Sequence, residues 1–177
     1  MSTVDKVKKN IANAFTILNM VCGGASIIAS IAGYKRVAIS LIIIAGILDR
    51  YDGALARKFN SQSDLGVQLD SMADALSFGI APAVLVYMTK FYPSEKYWIL
   101  LAIPTILYIV CGLFRLARYN AYGLDDDGNF MGIPITASGM FLVAMVMFSK
   151  QLGICFYLIL MIILSYLMAS KHKIKKM

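Results

Sequence analysis

The sequence predicts an all-α fold, a polytopic membrane bundle of six transmembrane helices, and three observations predict it. The composition is the first: of 177 residues, 59% are hydrophobic and 15% charged, with a mean hydropathy of +0.71, too apolar for an ordinary soluble domain. Second, the apolar runs are long enough to cross a hydrocarbon core of roughly 30 Å, which takes about 20 helical residues. Third, the runs lack the period-2 alternation of barrel strands, so their backbone groups are satisfied in lipid only as helices.

Six spans follow in order, at about 15–33, 37–56, 67–89, 97–117, 133–149 and 152–169. An even number places both termini on one side. Lys6, Lys8 and Lys9 precede the first span, and Lys171, Lys173, Lys175 and Lys176 follow the last, so both ends are expected in the cytoplasm. Arg57, Lys58, Arg115 and Arg118 then fall on the inner side, against Lys35, Arg36, Lys90, Lys96 and Lys150 outside. A secretory leader over the first 33 residues is the weaker reading, because Asn13, Thr16 and Asn19 interrupt its apolar stretch.

The chain reads as one domain over residues 1–177, without repeat or long linker. Its outer connections are plain turns. The inner ones, Lys58 to Leu65 and Tyr119 to Gly132, carry the polar content, which places function on the cytoplasmic face. The net charge of +7 gathers at span ends, so it points to anionic headgroups and phosphates, and away from nucleic acid. Cys22, Cys111 and Cys155 are isolated within spans and read as packing residues. His172, the single histidine, lies in the basic tail and reads as solvated.

Carboxylates inside spans cost about 2.5–3.5 kcal/mol each on insertion scales and mark functional sites. Of ten acidic residues, four fall in two short stretches, Asp49 and Asp52 in one, Asp70 and Asp74 in the other. At about 100° per residue, Asp49, Asp52, Gly53 and Ala56 share one face of the second span. Gly66, Asp70 and Asp74 share one face of the third. A short inner loop makes the two spans antiparallel, so both acidic faces meet near the cytoplasmic end. Unpaired, such carboxylates repel one another, and a divalent cation removes the repulsion. Oxygen-only ligation suits a hard ion, Mg²⁺ or Mn²⁺. Gly53, Ala56 and Gly66 either leave room for a ligand or serve close helix packing; the first reading is favoured for Gly53 and the second for Ala56. Arg57 either snorkels, or anchors a phosphate or pairs with one carboxylate, and four neighbouring acids favour the last two. Ser63 caps the third helix or touches a nucleotide, with nothing to choose between them. Asp125 to Asp127 read as a solvated loop.

The stretch from Asp49 to Asp74 matches D-x2-D-G-x2-A-R-x8-G-x3-D-x3-D at all eight fixed positions, and so resembles the CDP-alcohol phosphotransferase family. The resemblance implies a six-helix membrane fold, usually a homodimer, with the site open to the cytoplasm. It implies two divalent ions held by Asp49, Asp52, Asp70 and Asp74, with Asp74 as general base. It also implies a CDP-linked lipid donor contacted by Gly53, Arg57, Ser63 and Gly66. The family's N-terminal proline-asparagine element is replaced here by Ala12-Asn13, which opens the donor-binding roles of Asn13 and Thr16 to question.

Phe114 to Asn120, followed by Phe130 to Pro134, is similar to segments of the phosphatidylserine synthases in that family. The implied reaction takes CDP-diacylglycerol, or an ether-lipid analogue, and L-serine to phosphatidylserine and CMP. Arg115, Arg118 and Asn120 then receive the acceptor's carboxylate or a donor phosphate; two ordinary inside-positive arginines are the plainer alternative. Glycerol 3-phosphate or inositol phosphate as acceptor keeps the chemistry and changes the product. An ion or proton transporter is the rival of another class, favoured by midplane acids on broken helices, whereas these acids gather at one inner end.

Overall fold

A computed structural model of the chain describes residues 3–58, 64–92, 98–123, 130–148, 152–170 and 173–174. Among them are six helical rods. We label them α1 (Thr3–Ile31), α2 (Lys35–Lys58), α3, α4 (Trp98–Tyr122), α5 (Ile135–Phe148) and α6 (Ile154–Ala169). The third is continuous but composite: α-helical over Asp64–Asp74, π-helical over Ala75–Ile80, α-helical over Ala81–Val86 and π-helical over Tyr87–Phe91. Two two-residue strands, β1 (Phe130–Met131) and β2 (Lys173–Ile174), pair antiparallel, Phe130 opposite Ile174.

Each predicted span contains a helix; α1 to α4 run past a predicted bound, while α5 and α6 fall within theirs. Helix α1 begins at Thr3 and not near 15, and α4 runs to Tyr122 and not 117. Hydropathy marks only the apolar stretch, while helical hydrogen bonding continues into the polar residues beyond it. By length and composition, Asn13–Ile31, Leu65–Phe91 and Trp98–Tyr122 are able to cross a membrane; α5 and α6 are shorter apolar helices.

The burial pattern of α1 is one that suits lipid surroundings. Along α1 the buried stripe is Thr16, Asn19, Gly23, Ser26 and Ser30, polar or small at every turn, whereas Ile17, Leu18, Val21 and Ile28 face outward. Lipid tails are as apolar as leucine, so association relies on close approach and hydrogen bonds between helices. Ser26 donates to the Ala38 carbonyl of α2 at 3.0 Å, and Ser77 of α3 donates to the Asn19 carbonyl at 3.1 Å.

Helix α3 is the axis of the bundle, touching all five other helices. Its middle is buried on every side, with Ser77, Phe78, Gly79, Ala81, Pro82, Ala83, Leu85 and Val86 all enclosed. Pro82 has no N–H to offer the Phe78 carbonyl four residues before it, and the buried Tyr108 hydroxyl of α4 donates to that oxygen at 3.3 Å. Gly139 of α5 meets the same turn, where an added Cβ would stand 2.5 Å from the Phe78 carbonyl oxygen. Glycine there lets two backbones touch.

At the other end, Gly132 adopts φ 75°, a conformation that favours glycine. A Cβ on it would fall 2.5 Å from the Met168 carbonyl oxygen. The Ile133 amide donates to the Leu167 carbonyl at 3.3 Å. Together with the β1–β2 ladder, these contacts fasten the segment before α5 onto the end of α6.

Candidate active site

The buried stripe of α2 runs Ala38, Ile42, Ala45, and the next position at helical spacing is Asp49. The stripe that packs this helix against its neighbours therefore ends in a carboxylate. On α3, Asp70 and Asp74 are one turn apart, immediately before the π-helical segment begins at Ala75.

Carboxylate oxygens of Asp49, Asp70 and Asp74 lie within 4.8 Å of one another. Asp49 and Asp74 are half-buried and Asp70 is exposed, so the cluster is lined by protein and open on one side. Asp49 and Asp74 are within hydrogen-bonding reach of each other. Oxygen donors alone, converging from two helices and reachable from outside, fit a hard divalent cation that keeps positions for further oxygen ligands.

The other residues singled out in the sequence divide into three groups. Gly53 and Gly66 are half-buried on the same two helices, and Asn13 and Thr16 are half-buried and buried on α1, which packs against both. Asp52 and Arg57 lie on the helical backbone of α2, with side chains outside the described residues; Ser63 lies outside them altogether. Arg115, Arg118 and Asn120 lie near the end of α4 and separate in role.

Arg115 is 6% exposed, stands in electrostatic range of Asp74, and has its Nε without a hydrogen-bond partner among the described residues. Its guanidinium lies 5.8 Å from the centre of the Tyr119 ring. Arg118 is committed elsewhere: Nη1 donates to the Ala169 carbonyl and Nη2 to the Ser170 carbonyl, each at 3.0 Å. These are carbonyls at the end of α6, where a helix leaves acceptors unmet and a cation is favoured. The Asn120 amide donates to the Ser71 hydroxyl at 2.8 Å.

Ser71 was not among the residues picked from the sequence. It sits between Asp70 and Asp74 and ties their helix to α4. Its place inside the acidic stretch was the available signal. Asn19 was noted only as a polar interruption, yet it is fully buried, and neither side-chain amide atom has a partner among the described residues.

Comparison with known proteins bears on this arrangement. The family model described as CDP-alcohol phosphatidyltransferase matches residues 9–170. A Bacillus subtilis protein named CDP-diacylglycerol–serine O-phosphatidyltransferase is 37% identical over 162 residues, covering 89% of this chain and 85% of its own. Proteins of the same name from Mycobacterium tuberculosis and Methanocaldococcus jannaschii are 34% and 37% identical, covering 80% and 75% of this chain. The chain spans about half the length of the mycobacterial relatives, 50% of the Mycobacterium tuberculosis protein, and 58% of the archaeal one.

Proposed function

Because the chain belongs to the CDP-alcohol phosphatidyltransferase family, we propose that it is a six-span membrane enzyme transferring a phosphatidyl group from CDP-diacylglycerol, or its ether-lipid analogue, to L-serine. The products are phosphatidylserine and CMP. The single observation that carries the reading is the convergence of Asp49, Asp70 and Asp74 within 4.8 Å, carboxylates of the eight-position motif that could together hold a metal ion. The serine acceptor is supported by the names of the relatives from two bacteria and an archaeon.

Asp49, Asp52, Asp70 and Asp74 would hold Mg²⁺ or Mn²⁺, as two ions. Such ions, when bound, offset negative charge on the pyrophosphate and on the leaving CMP. Asp74 accepts the proton of the serine hydroxyl as its oxygen attacks the β-phosphorus. A bond forms from that oxygen to phosphorus, and the bond from phosphorus to the bridging oxygen breaks, so CMP leaves with the electron pair. Arg115, buried beside Asp74, receives the serine carboxylate, an anion that needs a desolvated partner of fixed charge. Gly53, Arg57, Ser63 and Gly66 contact the CDP portion, with Asn13 and Thr16 alongside from α1. Arg118 and Asn120 act by holding the end of α4. Positioning and electrostatics supply most of the rate.

Lysines at both ends of the chain support cytoplasmic termini and a cytoplasmic site. Residues 1–177 are read as one domain, and the family resemblance supports a homodimer. The test is incubation of purified protein with CDP-diacylglycerol, divalent metal and each candidate alcohol in turn. Serine is expected to yield a new lipid with one CMP per turnover. A new lipid with glycerol 3-phosphate or inositol phosphate instead would replace the acceptor, and no CMP with any alcohol would overturn the class.

A further inference from the structure

Asn19 of α1 is fully enclosed, and neither its Nδ2 nor its Oδ1 has a hydrogen-bond partner among the described residues. A carboxamide brings two donors and an acceptor, and enclosing it without partners is costly. Polar side chains between membrane helices ordinarily hydrogen-bond across them. Ser26 and Ser77 do so, whereas Asn19 contributes its backbone carbonyl alone, to the Ser77 hydroxyl. Helix packing therefore gives the carboxamide no task.

The contacts between helices fix where it stands. Ser77 of α3 donates to the Asn19 carbonyl at 3.1 Å, and a Cβ on Gly23 would lie 3.0 Å from the Ser77 Cα, so Asn19 and Gly23 bracket Ser77. Helices α1 and α3 run parallel, each antiparallel to α2, and three residues back along both sets Thr16 beside Asp74. Ser26 meets the Ala38 carbonyl of α2 at 3.0 Å, and counting along that antiparallel pair brings Asp49 to the same level. Asn19 is thus one turn beyond the carboxylates, about 4.5 Å at 1.5 Å per residue. Side chains on an α-helix lean toward its N-terminus, which directs this one back toward the cluster. Carboxylates only accept, with about four lone-pair sites each, so Asp49 and Asp74 have room for an amide donor whatever else they hold.

We infer that Asn19 is a positioning residue for the carboxylate cluster: with a divalent ion bound, its Nδ2 donates to the Asp49 and Asp74 pair from the buried side and leaves the opposite oxygens to the ion. This role rests on the proposed metal-assisted transfer and adds to it a side chain that touches neither substrate nor metal. Partners of this kind orient ligating groups, and losing one typically costs about 10–100-fold in metal affinity.

Thermal unfolding of the full chain in detergent, titrated with Mn²⁺, separates this role from packing, because an ion held by the folded state raises the melting temperature. Asn19→Leu keeps the size and removes the amide. Without metal its melting temperature is expected to equal or exceed that of the wild type, since an unpartnered polar group is gone. The Mn²⁺ concentration giving half the rise is expected to increase about 10–100-fold. Asn19→Ser keeps a donor and should fall between the two. An unchanged Mn²⁺ requirement overturns the inference, read in the leucine variant or, if that one fails to fold, in the serine variant. A lower metal-free melting temperature in a folded leucine variant overturns it too, for the amide would then be holding helices together. So does a raised KM for the CDP-lipid at an unchanged Mn²⁺ requirement, which would put the carboxamide on the nucleotide. Ion binding needs no substrate, so wild-type protein that binds Mn²⁺ and releases no CMP sinks the reaction and leaves this role standing. Wild-type protein that shows no Mn²⁺ effect overturns the role itself.

Discussion

Two arginines one turn apart on α4 illustrate how little a charge says until its neighbours are known. Arg115 is buried beside Asp74 and Arg118 caps the end of α6, so their substitutions should fail in different assays. Arg115→Ala is expected to raise the KM for serine with little change in melting temperature. Arg118→Ala should cost about 1–3 kcal/mol of stability, as loss of charge-assisted hydrogen bonds to carbonyls does, and show as a lower melting temperature in detergent. Equal KM effects from both would return Arg118 to the substrate. Asp74→Asn should lower kcat about 10²–10⁴-fold, the usual worth of general-base catalysis; near-normal turnover at saturating metal would remove it as the base. The Asp49 to Asp74 spacing was enough to find the cluster, because period and motif both act along one chain. The partners of Arg118 and Ser71 were not legible, since they lie 51 and 49 residues away and no local pattern encodes them.

The elements show what the apolar pattern carries and what it leaves out. Six helices were legible because each apolar run must close its own hydrogen bonds in lipid. The π-helical stretches of α3 were not; the first, Ala75–Ile80, contains the Phe78 turn, where Pro82 offers no donor and Gly139 comes close, and nothing in the local apolar pattern marks it. Gly139→Leu should separate α5 from α3 and is expected to cost more than 2 kcal/mol, in the upper range for forcing bulk into a packed core. Thermal unfolding in detergent would measure it. Gly132→Ala is expected to destabilise by about 1–2 kcal/mol from its backbone conformation alone, with added loss from the clash at Met168. Reduced protection of the β1–β2 ladder in hydrogen exchange would locate that effect.

For the molecule as a whole, the inside of α1 is polar and its outside apolar, the inverse of a soluble helix. Composition predicted the solvent and the burial pattern agrees with it. Chelation of divalent ions is expected to abolish CMP release from the purified protein, with Mg²⁺ or Mn²⁺ restoring it; full activity in excess chelator would remove the metal from the proposal. The central position of α3 has a further effect on how the chain is made. Everything through Phe91 includes the carboxylates and the rod that every later helix leans on, so the first half can assemble as it leaves the ribosome, and the second half arrives to close it. Two separately expressed pieces, divided between Tyr92 and Trp98, should therefore find each other in the bilayer.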